Sequence, residues 1–341
     1  MNLNHFKELI DFELEEFNKS LAGKRPESLY APICYTLDLG GKRMRPLLTL
    51  IACDLFDGAL SEAVKPAMGI EIFHNFTLLH DDIMDKAPLR RNQPTVHKKW
   101  NADIAILSGD TMFVQSFQYV MQAPAGVLKE VLDVFTKAAI EVCEGQQMDM
   151  DFETAPNVSI PQYIKMIQLK TSVLLAACMK IGAIIGGARP EDANHLYEFG
   201  KNLGIAFQLH DDILDVFGNS HKVGKQTGGD IVSNKKTYLL LKAMDMADRY
   251  KKEELMMWLH ASESNAAEKV EAVKAIYEYL GVKALAETEM MKFYDKSLLH
   301  LNQIPCNPDK KQQLINFAAN LMQRESRLKD TQTLIILYFC G

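Results

Sequence analysis

The residues best suited to chemistry are two copies of one acidic motif. Leu79-His80-Asp81-Asp82-Ile83-Met84-Asp85 recurs 130 residues later as Leu209-His210-Asp211-Asp212-Ile213-Leu214-Asp215. With each charged residue type near 6 % of the chain, about 0.07 D-D-x-x-D matches arise by chance in this length, and two arise only about 0.003 times. On a helix Asp81 and Asp85 share a face one turn apart, as do Asp211 and Asp215. Carboxylates stacked in this way at a helix C-terminal end repel each other and oppose the macrodipole, so the arrangement calls for a cation. Oxygen donors in small number, leaving room for water and substrate phosphates, suit Mg²⁺. Neither motif carries the twelve-residue loop of an EF-hand, with its glycine and terminal glutamate. Two solvated acidic helix ends are the bland reading, and the rarity of the repeat weighs against it.

Basic groups stand close to these motifs in sequence. Lys42, Arg43 and Arg45 follow Gly40-Gly41, Arg90 and Arg91 lie just beyond the first motif, and Lys225, Lys235 and Lys236 lie beyond the second. Arginine pairs phosphate oxygens bidentately, lysine adds a compact charge, and glycine lets backbone N–H groups approach an anion. Any one cluster alone reads as a solvated loop. All of them flanking aspartate-rich segments point to a cavity where Mg²⁺ and basic side chains jointly hold diphosphates.

The elements that must position these groups read as helices throughout. Segments Lys65–Met84, Val127–Gln147, Pro161–Ile185, Glu191–Val216, Lys235–Tyr250 and Ala266–Leu280 repeat apolar residues at i, i+3, i+4, on more than one side. Glycine and proline, nineteen and twelve in 341 residues, gather between them. None of the connections resembles a flexible linker, so a single domain over residues 1–341 is expected. Hydrophobic residues make up 48 % and charged residues 24 %, an ordinary globular balance. The net charge of -6 gives no field that would attract nucleic acid. Six scattered cysteines without a C-x-x-C pair argue for reduced thiols, and an acid-bearing N-terminus argues against a secretory leader. A cytoplasmic protein is expected. The longest apolar stretch, Ser172–Ala188, is broken by Lys180 and by glycines, which predicts a helix packed within protein rather than a membrane span.

Seven segments in order, GGKRMRP (Gly40–Pro46), HNFTLLHDDIMD (His74–Asp85), LRRNQPTVH (Leu89–His97), KTSVL (Lys170–Leu174), FQLHDDILD (Phe207–Asp215), GKQTGGDI (Gly224–Ile231) and NKKTYL (Asn234–Leu239), resemble the signature set of the trans-isoprenyl diphosphate synthases. The match runs over about residues 25–325. The resemblance implies the all-α isoprenoid synthase fold, an antiparallel helical bundle around a deep central cavity. It also implies a homodimer that condenses an allylic diphosphate with isopentenyl diphosphate. By the same resemblance three Mg²⁺ ions are held, two by Asp81 and Asp85 and the third by Asp211, with Asp82, Asp212 and Asp215 supporting. Lys42, Arg45, His74 and Arg91 match the positions that bind isopentenyl diphosphate. Arg90, Lys170, Thr171, Gln208, Lys225 and Lys235 match those that bind the allylic diphosphate.

Product length is expected to depend on the helix before Asp81. Phe76 lies about 7.5 Å below Asp81 and Thr77 one turn beneath it, with Phe73 continuing the wall. Within the family, one aromatic five residues before the first aspartate, beside a small Thr77 and an unexpanded motif, resembles geranylgeranyl diphosphate synthases of archaeal type. The expected product is therefore C20, with C15 as the alternative and C25 or longer less favoured. His80 and His210 are expected to be structural hydrogen-bonding partners. Gln146, Gln147, Asp149 and Asp151 form a polar helix end that either reaches a pocket rim or is solvated. Where many relatives end in a basic cluster, Arg324 and Arg327 here precede an apolar tail, Thr333–Gly341, within the 326–341 segment. A terpenoid cyclase or head-to-head synthase would not need Lys42, Arg45, His74 and Arg91, and a non-catalytic regulatory subunit would have lost an aspartate from one motif. Both motifs are intact.

Overall fold

A computed structural model of the chain describes residues 3–218, 228–261 and 265–322. The helices are α1 (Leu3–Leu21), α2 (Glu27–Asp38), α3 (Met44–Leu55), α4 (Leu60–Met84), α5 (Val96–Lys99), α6 (Ala102–Val120), α7 (Leu128–Thr154), α8 (Ile160–Ile167), α9 (Val173–Ile185) and α10 (Pro190–Phe217). There follow α11 (Gly229–Val232), α12 (Tyr238–Met246), α13 (Arg249–Leu259), α14 (Ala266–Tyr279), α15 (Val282–Asn302) and α16 (Pro308–Met322). Among the described residues the only strands are β1 (Leu89–Arg90) and β2 (Gln93–Pro94), an antiparallel pair in the register Leu89 to Pro94 and Arg90 to Gln93.

The chain divides into two compact units. The first comprises Met1–Lys137, Ala177–Tyr197 and Ile304–Lys311, and the second comprises Ala138–Ala176, Glu198–Gln303 and Gln312–Gly341.

In the first unit α4 packs mainly on α6 and α3. It is apolar on every side because it is surrounded, burying Ala63, Met68, Ile70, Ile72, Phe73 and Leu79. Gly69 allows that contact, since a Cβ there would come within 2.7 Å of the Ser116 carbonyl oxygen. Gly182 has the same function against the Thr49 backbone. Lys310 on α16 closes the turn after α3, donating to the Asp54 carboxylate at 3.0 Å and the Asp57 carboxylate at 2.8 Å.

In the second unit the core gathers Tyr163, Met166, Ile205, Leu209, Ile213, Leu239, Leu255, Val273, Ile276 and Val282. Between α8 and α9 the helix widens into a π-helical turn over Gln168–Ser172. Gly145 of α7 packs there, where a Cβ would overlap the Lys170 backbone nitrogen.

The expected helices are present with two differences. The Pro161–Ile185 segment carries the π turn, and Lys235–Tyr250 is two helices. Thr237 starts α12, and the Asp248 side chain accepts from the Lys251 N–H at 2.8 Å, capping α13 and breaking the run. Among the described residues one run, Ile160–Ile185, is long and apolar enough to cross a membrane by length and composition, and 72 % of its 18-residue apolar window is buried within the protein.

Candidate active site

In the first unit the acidic motif ends α4. Asp81 is half-buried and Asp85 exposed, but Asp82 is buried and engaged. Arg90 grips it with two parallel hydrogen bonds, Nε to Oδ2 and Nη2 to Oδ1, both 2.8 Å. Such fork-to-fork pairing fixes the guanidinium plane. The three aspartates therefore differ: one orients an arginine, while Asp81 and Asp85 stand one turn apart as oxygen donors. His80, beside them, lies 3.3 Å from the Ile106 carbonyl oxygen and packs edge-on against Phe76.

The basic residues gather around His74. Burial and the charges of Arg45, Arg91, Arg90 and Arg43 hold its imidazole well below the usual histidine range, so it is neutral at pH 7. Burial also lowers the guanidinium pKa values of Arg45 and Arg91. Arg91 lies against Gly41, where a Cβ would come within 2.7 Å of its Nη2. Arg43 and Arg91 both take left-handed backbone conformations, with φ of 48° and 53°. Such strain at non-glycine residues, about 1–3 kcal/mol each, persists only where the surroundings impose it. Lys42 sits between Gly41 and Arg43 on the same turn.

The carboxylate that answers this group is Glu71 of α4. It receives Arg43 Nη1 at 2.8 Å and Asn75 Nδ2 at 3.1 Å, while Arg43 Nη2 donates to the Leu37 carbonyl. Glu71 and Asn75 are both buried. The spacing of the motifs gives no hint of either. Their signal is weaker: two polar residues one turn apart in an apolar helical run.

Phe73 and Phe76 belong to an aromatic cluster that sequence reading captured only in part. Phe76 lies 5.3 Å from Phe113 between ring centroids, Phe113 lies 5.2 Å from Phe117, and Phe117 lies 5.1 Å from Phe135. Phe73 touches both Phe76 and Phe135, at 5.6 and 5.5 Å. Thr77 donates to the His74 carbonyl at 2.8 Å. The rings from α6 and α7 are remote in sequence, so no motif links them to Asp81.

In the second unit Asp212 is buried, with Tyr163 donating to Oδ2 and Gln208 Nε2 donating to Oδ1 at 3.0 Å. Burial, then the charge of Asp230, pushes its pKa up to about 7, against the pull of Lys235 and these hydrogen bonds. Thr171 donates to Gln208 Oε1 at 3.4 Å. Lys170, on the π turn, pairs with Asp149 at 2.6 Å, so the polar end of α7 holds a lysine rather than facing solvent alone. Asp215 accepts the Asp230 backbone N–H at 2.9 Å. Asp211 is half-buried, and His210 is buried beside it. Lys236 serves the structure of α7, donating to the Phe152 carbonyl and, at 3.1 Å, to the Glu153 carbonyl, so that it caps the end of that helix. Tyr163 is the residue here that sequence reading missed, because nothing in its spacing distinguishes it from a core aromatic. Lys225, Arg324, Arg327 and the apolar tail lie outside the described residues.

The donor chemistry fits a hard divalent cation. Among the described residues no three or more His, Cys, Asp or Glu side chains gather as a ready-made metal cage. Mg²⁺ is bound by one or two carboxylates completed by water and substrate phosphates, which is what Asp81 with Asp85, and Asp211, can provide.

Strained basic turns, a neutral histidine among arginines and paired aspartates on helix ends give this all-α protein side chains chemically suited to diphosphates and divalent cations. The chain belongs to the Polyprenyl synthetase family, whose profile matches residues 26–280. It is 43 % identical over 239 residues to the geranylgeranyl diphosphate synthase of Methanosarcina mazei, covering 69 % of this chain and 72 % of that one. A crystal structure of geranylgeranyl pyrophosphate synthase superposes with a TM-score of 0.89 at 41 % identity, covering 95 % of this chain and 99 % of that one. The polyprenyl synthase from Caulobacter crescentus CB15, solved with calcium and isoprenyl diphosphate, superposes with a TM-score of 0.82 at 27 % identity, covering 95 % and 97 %. The fold is thus the isoprenoid synthase fold, and the protein is a trans-prenyltransferase.

Proposed function

We propose that this enzyme adds isopentenyl diphosphate head-to-tail to allylic diphosphates by ionisation, condensation and elimination, giving all-trans geranylgeranyl diphosphate. The observation that carries this reading is the ring of Arg43, Arg45, Arg90 and Arg91 around a neutral His74, on the same helix as Asp81 and Asp85. So much positive charge, answered by Glu71 and Asp82, is a site for an anion.

Lys42, Arg45, His74 and Arg91 bind the isopentenyl diphosphate and orient its double bond. Arg90, Lys170, Thr171, Gln208, Lys225 and Lys235 bind the allylic diphosphate. Asp81 and Asp85, and Asp211, hold the three Mg²⁺ ions that the resemblance implies, with Asp82, Asp212 and Asp215 supporting them. When bound, Mg²⁺ acts as a Lewis acid on the departing diphosphate. The basic side chains stabilise the same developing charge, so the allylic C–O bond breaks. The isopentenyl double bond attacks the allylic cation, one C–C bond forms, and a proton is lost to the released diphosphate. Aromatic and aliphatic walls keep water from the cation.

Phe76 limits the product. Phe76→Ala is expected to shift the main product beyond C20 when the enzyme is given farnesyl and isopentenyl diphosphates, read by chromatography of the dephosphorylated alcohols. An unchanged distribution assigns the floor elsewhere, with Phe113 the next ring in the cluster.

A homodimer is the expected assembly. Ile106, Leu107, Val114 and Met121, exposed along and just past α6, support it. A cytoplasmic setting is supported by Cys34, Cys53, Cys178 and Cys306, thiols in no disulfide.

The deciding experiment incubates the protein with isopentenyl diphosphate and, separately, dimethylallyl, geranyl or farnesyl diphosphate, with Mg²⁺ or with EDTA. Geranylgeranyl diphosphate is expected from all three allylic substrates, and none with EDTA. Products stopping at C15 or running past C20 would revise the chain length. Turnover that survives chelation would sink the mechanism.

A further inference from the structure

Lys269 is a lysine that the proposed reaction does not use, yet it is only 3 % exposed. It projects from α14, and its Nζ donates to Asn234 Oδ1 at 2.6 Å and to the Val232 carbonyl at 3.2 Å. Asn234 in turn donates to the Leu259 carbonyl at 2.9 Å and takes a left-handed backbone, φ 55°. Lys269 is thus covered by the segment it holds. The next residue in the chain is Lys235. Its backbone N–H donates to the Asp230 carbonyl at 2.9 Å, and the Asp230 N–H donates to Asp215 Oδ2 at 2.9 Å. The Gly228 N–H donates to the Asp215 carbonyl at 2.7 Å. Residues 228–237 therefore form a short platform with the second acidic motif on one side and Lys269 on the other.

We propose that Lys269, acting through Asn234, is the positioning residue that holds this platform so that Lys235 and Asp215 keep a fixed register at the allylic diphosphate. This rests on the reading of Lys235 as an allylic-diphosphate contact. Burial lowers the Lys269 pKa, so covering this charge is a cost that an aliphatic side chain would avoid. What the ammonium provides instead is direction. It donates to two acceptors on either side of Ser233 and fixes the strained Asn234 that launches Lys235. Groups one step removed from a binding site commonly change affinity by about 10–100-fold when removed.

The test uses Lys269→Met, Asn234→Gly and the double variant in the full chain. Asn234→Gly removes the shared partner but keeps the left-handed turn free of strain, so it decides the matter if Lys269→Met does not fold. Either variant is expected to raise KM for dimethylallyl diphosphate about tenfold or more while leaving KM for isopentenyl diphosphate within about twofold. The double variant is expected to be no worse than the more affected single one. Calorimetric titration with inorganic pyrophosphate and Mg²⁺ is expected to weaken by a similar factor, a readout that needs no turnover. If the two KM values rise together, or if only the thermal midpoint falls, Lys269 is a packing residue and the proposal fails. Wild-type protein whose pyrophosphate affinity falls on Lys269→Met or Asn234→Gly but that transfers no prenyl group would overturn the proposed function instead.

Discussion

Asp81→Ala is expected to reduce turnover of farnesyl with isopentenyl diphosphate by about 10³-fold, the scale seen when one preorganised contact to developing charge is lost. The unfolding midpoint of the metal-free protein should not fall. Asp81 stacks over Asp85 near the C-terminal end of α4, where carboxylates repel each other and the helix dipole, so removing one relieves an unfavourable arrangement. Steady-state kinetics and a thermal melt on the same preparation check both halves. A large loss of activity accompanied by an equally large loss of stability would make Asp81 a structural residue. Asp82→Ala is predicted to behave differently, since Asp82 is the bidentate partner of Arg90.

Glu71→Ala is expected to do the opposite, lowering stability by about 3–5 kcal/mol because it strands a buried charge. Arg43 would lose its carboxylate at 2.8 Å and Asn75 a hydrogen bond. The repulsion among Arg43, Arg45, Arg90 and Arg91 would be left without the carboxylate that raises the Arg45 and Arg91 pKa values. Urea unfolding followed by far-UV circular dichroism measures the change. A loss under about 1 kcal/mol would show that water replaces Glu71 at little cost, as at an exposed pair. Together the two substitutions separate the carboxylates proposed to face substrate from the one that supports the cations.

The all-α fold and the prenyltransferase family were legible from residue type and spacing. The repeated D-D-x-x-D, the glycine-flanked basic turns and the helical periodicity each reflect a local rule, and local rules survive in a linear sequence. What was not legible depends on contacts between distant segments. Tyr163 and Asp212 are 49 positions apart, and nothing near either residue signals their pairing. Phe113, Phe117 and Phe135 read as ordinary core aromatics until the fold links them ring to ring with Phe73 and Phe76. Lys236 reads in sequence as one more cation of a basic cluster, and its pairing with α7 carbonyls 83 and 84 residues earlier has no local signal. The π turn at Gln168–Ser172 is invisible to a 3.6-residue period because a single widened turn lies between two helices whose periodicity reads as one continuous segment.

The family profile ends at residue 280, but the first compact unit also contains Ile304–Lys311. An expression fragment trimmed to the profile would discard the fully buried Ile304 and the ammonium that joins Asp54 to Asp57. Such a fragment would keep every aspartate of both motifs and still begin to unzip at the corner between α3 and α4. For subcloning, domain swaps or fusion design, the working boundary is therefore set by a lysine some thirty residues past the end of the matched profile.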